Sequence, residues 1–166
     1  MAQPNEQDQP HLKLEVLSQP RYLCGARELV STVARRLGFD ELSCSQIALA
    51  VDEALANVMR HGYGGRSDGR VWISVWPLDA SDDCACGGIR IVIEDEAKQV
   101  EPDCIQGRDL DDVKPGGLGV HIIRHVMDVA CYEKRECSGM RLTLQKKMVT
   151  TEATAAELDG DAARAG

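Results

Sequence analysis

No run of apolar residues in this 166-residue sequence approaches the roughly 20 that a helix needs to cross a bilayer. The polar N-terminus lacks a basic segment followed by an apolar stretch, so no secretory leader is expected and the protein is placed in the cytoplasm. A basic excess is missing too. Lys and Arg number 19 against 27 Asp and Glu, a formal charge of −8, of which residues 1–10 carry −2 and residues 150–166 carry −3. With no basic face, direct binding to nucleic acid through its phosphates is not expected. The 7 cysteines lack the spacing of a disulfide framework and read as reduced thiols. Cys84-Ala85-Cys86 is the one close pair. With Cys104 it makes part of a zinc set, but a fourth ligand at useful spacing is missing, and small residues in a Gly-rich connection are the simpler reading.

The two ends, 1–10 and 150–166, hold few bulky apolar residues and are expected to be disordered tails, the second acidic and Ala-rich. One domain at 11–149 lies between them, with no internal repeat. Leu12, Leu14 and Val16 alternate with polar residues, which predicts a strand. Pro20 opens a helix whose inner face is Leu23, Ala26, Val30, Val33 and Leu37, and Gly38 stops it. Asp40 or Ser43 caps a second helix, which ends at Gly62-Tyr63-Gly64-Gly65. Val71, Ile73 and Val75, then Ile89, Ile91 and Ile93, predict two strands of a hairpin, with Asp95 where the second runs out. A polar loop without periodicity fills 96–114, of the length that usually carries function. A third helix and a hairpin, 131–136 with 140–147, complete the chain. This order predicts an α+β fold: a two-layer α/β sandwich with helices on one face of a mixed, mainly antiparallel sheet. Parallel Rossmann winding does not fit the adjacent hairpins.

Within the second helix, Glu53, Asn57 and His61 stand four apart and form one stripe. Ile47, Val51, Ala54, Leu55 and Val58 form the apolar stripe beside it. A carboxylate, an amide and an imidazole at the edge of a buried face carry a desolvation cost, which suggests a site. Gly116-Gly117-Leu118-Gly119 opens the third helix. There the glycines let backbone N–H groups turn inward, and the helix end adds a positive dipole. A phosphate held there would need a cation such as Mg²⁺, for which Asn57 offers a neutral oxygen ligand. Glu53, one turn away, could accept a proton from a hydroxyl attacking the terminal phosphate.

These residues resemble the anti-sigma factor serine/threonine kinases, a stand-alone branch of the GHKL, or Bergerat, ATPase fold. The matching pieces are Asp52-Glu53-Ala-x-x-Asn57-x-x-x-His61-x-Tyr63, then Asp95-Glu96 after a strand, then Pro115-Gly-Gly-Leu-Gly119-x-His121-x-Ile-Arg124-x-x-Met127-Asp128. A Ser138-Gly139 turn and a Leu142-x-Leu144-x-Lys146 strand follow in the expected order. The resemblance implies ATP and Mg²⁺ as cofactors, with Glu53 as catalytic base, Asn57 as Mg²⁺ ligand and Asp95 as the carboxylate receiving the adenine amino group. It implies that Gly117 and Gly119 let the phosphates approach and that 98–115 is similar to an ATP lid. It further implies a homodimer that sequesters a sigma factor and phosphorylates a serine on a STAS-type anti-anti-sigma partner.

One motif departs from that family. Where the family reads Asp-x-Gly-x-Gly, this chain has Asp95-Glu-Ala97-Lys-Gln99. A residue forced to positive φ at either place would cost about 1 kcal/mol or more, a penalty that would weaken ATP binding roughly tenfold without abolishing it. That expectation leaves room for a rival, a module that sequesters a transcription regulator with little or no catalysis. A histidine-kinase fragment is a third reading, but no helix pair with a phospho-acceptor histidine is present.

Several of these side chains also have plainer readings. Glu53 alone could pair with Arg60 or Arg66, Asn57 could bond a neighbouring backbone group, and His61 could cap helix carbonyls. His121 and His125 stand four apart without a third metal ligand. Arg108 and Lys114 could meet a γ-phosphate or neutralise Asp103, Asp109, Asp111 and Asp112. Trp72 and Trp76 share a strand face, with core packing and a partner-binding patch both open.

Overall fold

Three helices cover one face of a five-stranded sheet in the computed structural model, which describes residues 9–80, 87–105 and 118–148. Residues 1–8, 81–86, 106–117 and 149–166 lie outside that description, and with them most of both expected tails. The strands are β1 (Leu12–Leu17), β2 (Arg70–Leu78), β3 (Gly88–Asp95), β4 (Val129–Lys134) and β5 (Met140–Lys147), in the spatial order β1-β2-β3-β5-β4. All four pairings are antiparallel, so the mainly antiparallel expectation is carried to its limit.

Register explains which strand residues are buried. Leu14 stands opposite Ile73, Ile73 opposite Ile93, Ile93 opposite Leu142, and Leu142 opposite Tyr132. Successive side chains point to opposite faces, so this row and its neighbours two residues away look toward the helices. Ile73, Ile89, Ile91, Ile93 and Leu144 are fully buried there, each contributing about 1.5–3 kcal/mol by leaving water.

The helices are α1 (Leu23–Leu37), α2 (Glu41–Asn57) and α3 (Gly119–Val126). A 3₁₀ turn at Pro20–Tyr22 precedes α1, so the proline opens a tight turn before the helix. Gly38 ends α1 with φ 106°, the left-handed conformation in which a glycine avoids the Cβ penalty. Asp40 caps α2 by accepting from the Ser43 N–H at 2.7 Å, while the Ser43 hydroxyl donates back to it at 3.0 Å. Both candidate capping residues therefore take part. These bonds to the charged form hold the Asp40 carboxyl below its ordinary pKa.

The boundaries of β4 and α2 depart from the expectation. β4 starts at Val129, two residues earlier than read, because the Asp128 N–H donates to the Gln145 carbonyl and begins the pairing. The α-helix of the second segment ends at Asn57, and a π-helical turn occupies Val58–Gly62.

Candidate functional site

The α2 residues Asp52 and Glu53 are neighbours with different destinations. Asp52 turns toward α1, where Arg27 approaches it at 3.8 Å. Glu53 turns toward the start of α3. A Cβ built on Gly119 would lie 2.5 Å from Glu53 Oε2, 3.3 Å from Asn57 Nδ2 and 3.5 Å from Asn57 Oδ1. A side chain at 119 would press into the Glu53 carboxylate and crowd the Asn57 amide, and glycine lets both polar groups stand close against the helix end. The carboxylate, the amide and the first residue of α3 are brought together as the sequence predicted.

The plainer readings of two of these residues do not hold among the described residues. Arg66 pairs with Asp68, not Glu53, and no ion pair holds Glu53. Asn57 Nδ2 is buried and has no hydrogen-bond partner, so the amide is not tied to neighbouring backbone through its donor. A buried amide left with an open valence suits a place where something polar binds. The donor set of one amide oxygen with a carboxylate beside it fits Mg²⁺, which keeps several waters and draws other ligands from phosphate.

His61 leaves the stripe. The π-helical turn replaces the i→i−4 pattern, with the Tyr63 N–H reaching back to the Val58 carbonyl at 2.9 Å. The wider turn breaks the four-residue spacing on which the third member of the stripe depended, and His61 is exposed. Periodicity assumed an unbroken α-helix, which is why it placed His61 with the others.

Asp95 closes β3 on the helix-facing side and is 4% exposed. Its Oδ1 accepts the Ala97 N–H at 2.8 Å and the Met140 N–H at 3.3 Å. Burial nevertheless dominates and raises its pKa above the ordinary carboxylate value. The main chain is gripped as well. Arg135 donates to the Asp95 carbonyl oxygen, and the Gln99 side chain donates to the Arg135 carbonyl. Gly139, at φ 80°, lies so close that a Cβ there would meet the Asp95 carbonyl oxygen.

The strain expected at Ala97 and Gln99 is absent: no non-glycine residue among those described has positive φ. The Ala97 methyl is buried instead against Gly62, whose own Cβ would stand 3.0 Å from it. Gly62 itself has no positive φ, so its requirement is one of space. The chain gives up a glycine after Asp95 and has the room for the methyl at the end of the π-helical turn.

Leu118 is exposed and precedes α3, its carbonyl accepting the Ile122 N–H at 2.9 Å. Gly116, Gly117, Arg108 and Lys114 lie outside the described residues, as do Cys84 and Cys86. Among the described residues no cluster of three or more His, Cys, Asp or Glu is placed to hold a metal. Sequence reasoning gave no role to Arg135, which lies in a turn without motif spacing. An open pocket of about 340 Å³ lies nearby, lined by residues that include Glu94, Lys134, Arg135 and Arg141. Within it Glu94 pairs with Arg135 at 3.5 Å and with Arg141 at 3.0 Å, and neither Glu53 nor Asn57 lines it.

The sequence profile of the histidine kinase-like ATPase domain matches residues 16–146. The chain belongs to that family. Within the histidine kinase-like ATPases it is similar to the serine-protein kinase RsbW of Listeria monocytogenes, 25% identical over 119 residues, which covers 70% of this chain and 75% of that one. The RsbW of Bacillus subtilis is 25% identical over 126 residues, covering 71% and 74%. The anti-sigma F factor of Clostridium novyi is 28% identical over 146 residues, covering 85% and 96%. A solved structure of the RsbU and RsbW domains of a Mycobacterium tuberculosis protein superimposes with a TM-score of 0.54 at 17% identity. That likeness, covering 85% of this chain and 35% of that one, is a likeness of fold.

Proposed function

We propose that the protein is an ATP- and Mg²⁺-dependent protein serine kinase that doubles as an anti-sigma factor. It would sequester a sigma factor and phosphorylate a STAS-type anti-anti-sigma partner, acting as a homodimer. The observation that carries the reading is the convergence of Glu53 and Asn57 on the first residue of α3, with Glu53 Oε2 2.5 Å and Asn57 Nδ2 3.3 Å from where a Cβ on Gly119 would stand. Family membership and the names of the relatives support the nucleotide and the kinase activity; the resemblance alone supplies the partners and the dimer.

The roles follow from placement. Asp95, buried at the end of β3, would take the adenine amino group, with Ala97 packed behind it. Backbone N–H groups of 116–119 would cradle the phosphates, and Arg108 and Lys114 would meet the γ-phosphate. Asn57 would hold Mg²⁺, which when bound supplies charge to the phosphate oxygens. The serine Oγ would bond to the γ-phosphorus as the bridging oxygen leaves with ADP, and Glu53 would take the hydroxyl proton.

A non-catalytic sequestering module remains the rival, but backbone strain at Ala97 and Gln99, its main support, is not found. Removing only the proton acceptor separates the two readings. Glu53→Ala is expected to bind Mg-ATP as the parent does and to lose phosphotransfer to a STAS-type partner by a hundredfold or more, on the order of general-base contributions. Transfer at the parent rate would refute the assignment of Glu53.

A further inference from the structure

The β2–β3 ladder ends with Val71 opposite Asp95, so the next rung would join Arg70 to Glu96. That rung is occupied by a side chain. The Tyr63 hydroxyl accepts the Glu96 N–H at 2.9 Å and donates to the Arg70 carbonyl at 2.5 Å. Its ring has a seat made for it, since a Cβ on Gly69 would fall 2.3 Å from Tyr63 Cε1. The other end of Tyr63 is anchored on the π-helical turn that follows Asn57, through its N–H to the Val58 carbonyl. The inserted hydroxyl satisfies both backbone groups and holds the strands apart after Asp95. The chain can then curl so that the Ala97 N–H turns back onto the Asp95 carboxylate at 2.8 Å.

We propose that Tyr63 is a positioning residue for base recognition, its hydroxyl replacing one rung of the sheet so that Asp95 is aimed at a purine amino group. The inference rests on the nucleotide site proposed above. It adds that one tyrosine ties the Glu53/Asn57 helix to the carboxylate at the other end of the site. Neither the hydroxyl nor the ring touches the nucleotide in this assignment; both act through the Asp95–Ala97 turn.

The test compares ATP with purine riboside triphosphate, which lacks the 6-amino group, by calorimetry on the full chain with Mg²⁺. Tyr63→Phe is expected to weaken ATP about fivefold, the worth of one hydrogen bond, and to leave the amino-free nucleotide unchanged. Amide exchange at Glu96 should accelerate in the nucleotide-free variant while core strands stay protected. Gly69→Ala, which displaces the ring from outside the site, should give the same selective loss. Equal weakening of the two nucleotides, or no weakening, in variants that keep the parent melting temperature would overturn the positioning role. If the unsubstituted chain binds neither nucleotide, the nucleotide site itself is refuted, and that result is visible before any substitution is made.

Discussion

Asp95 and Asn57 are both polar groups held where solvent is scarce, and each holds them for a different reason. Asn57 keeps an unsatisfied buried N–H, whereas Asp95 takes two backbone bonds and still titrates high because it is buried. A carboxylate whose folded pKa is raised is favoured protonated, so its penalty is absent below its unfolded pKa and complete above its folded one. Asp95→Asn keeps an oxygen for the Ala97 and Met140 N–H groups and removes the charge. Its melting temperature relative to the parent is therefore expected to climb as pH rises from the ordinary carboxylate range, about pH 4, upward, with ATP binding lost. A constant difference across that rise in pH would show that the carboxylate is not held at a cost. At this scale the placement of Glu53, Asn57 and Asp95 was legible because motif spacing on one helix and at one strand end survives folding. Tyr63 stood in the same pattern, but its role depends on the register of β2 and β3, which no local spacing encodes.

The elements were legible wherever one periodicity ran uninterrupted. The 2-residue alternation of Val71, Ile73 and Val75 and the helical faces of α1 and α2 give strands and helices close to those found. The π-helical turn at Val58–Gly62 was not legible, because apolar spacing continues through it while the hydrogen bonding changes. That turn sets the contact between Gly62 and Ala97, whose Cβ positions would be 3.0 Å apart. Gly62→Ala should destabilise the fold by about 1–3 kcal/mol through overpacking, measured by denaturant unfolding. Combined with Ala97→Gly, the cost should fall well below the sum of the two single changes. Additive losses would mean that the two residues are not coupled and that Gly62 serves another purpose.

Across the whole molecule, the helices cover one sheet face and leave the other with Trp72 and Trp76. Neither indole joins the helix-side core. Trp72 donates to Glu15 at 3.0 Å under Arg135, and Trp76 lies 4.4 Å beneath the Arg90 guanidinium. The core-packing reading of the pair is thus replaced by an outer face covered by its own charged side chains. The fold class and its helix-covered face could be read from the order of elements, but strand order β1-β2-β3-β5-β4 could not, since hairpins fix only their own partners. The central claim is that this layer holds a magnesium nucleotide between α2, α3 and the end of β3. Titrating the folded chain with Mg-ATP in a calorimeter tests it most directly. Saturable binding well below millimolar, weakened when Asn57 is replaced by Ala, is the predicted result; no heat of binding at millimolar nucleotide would contradict it.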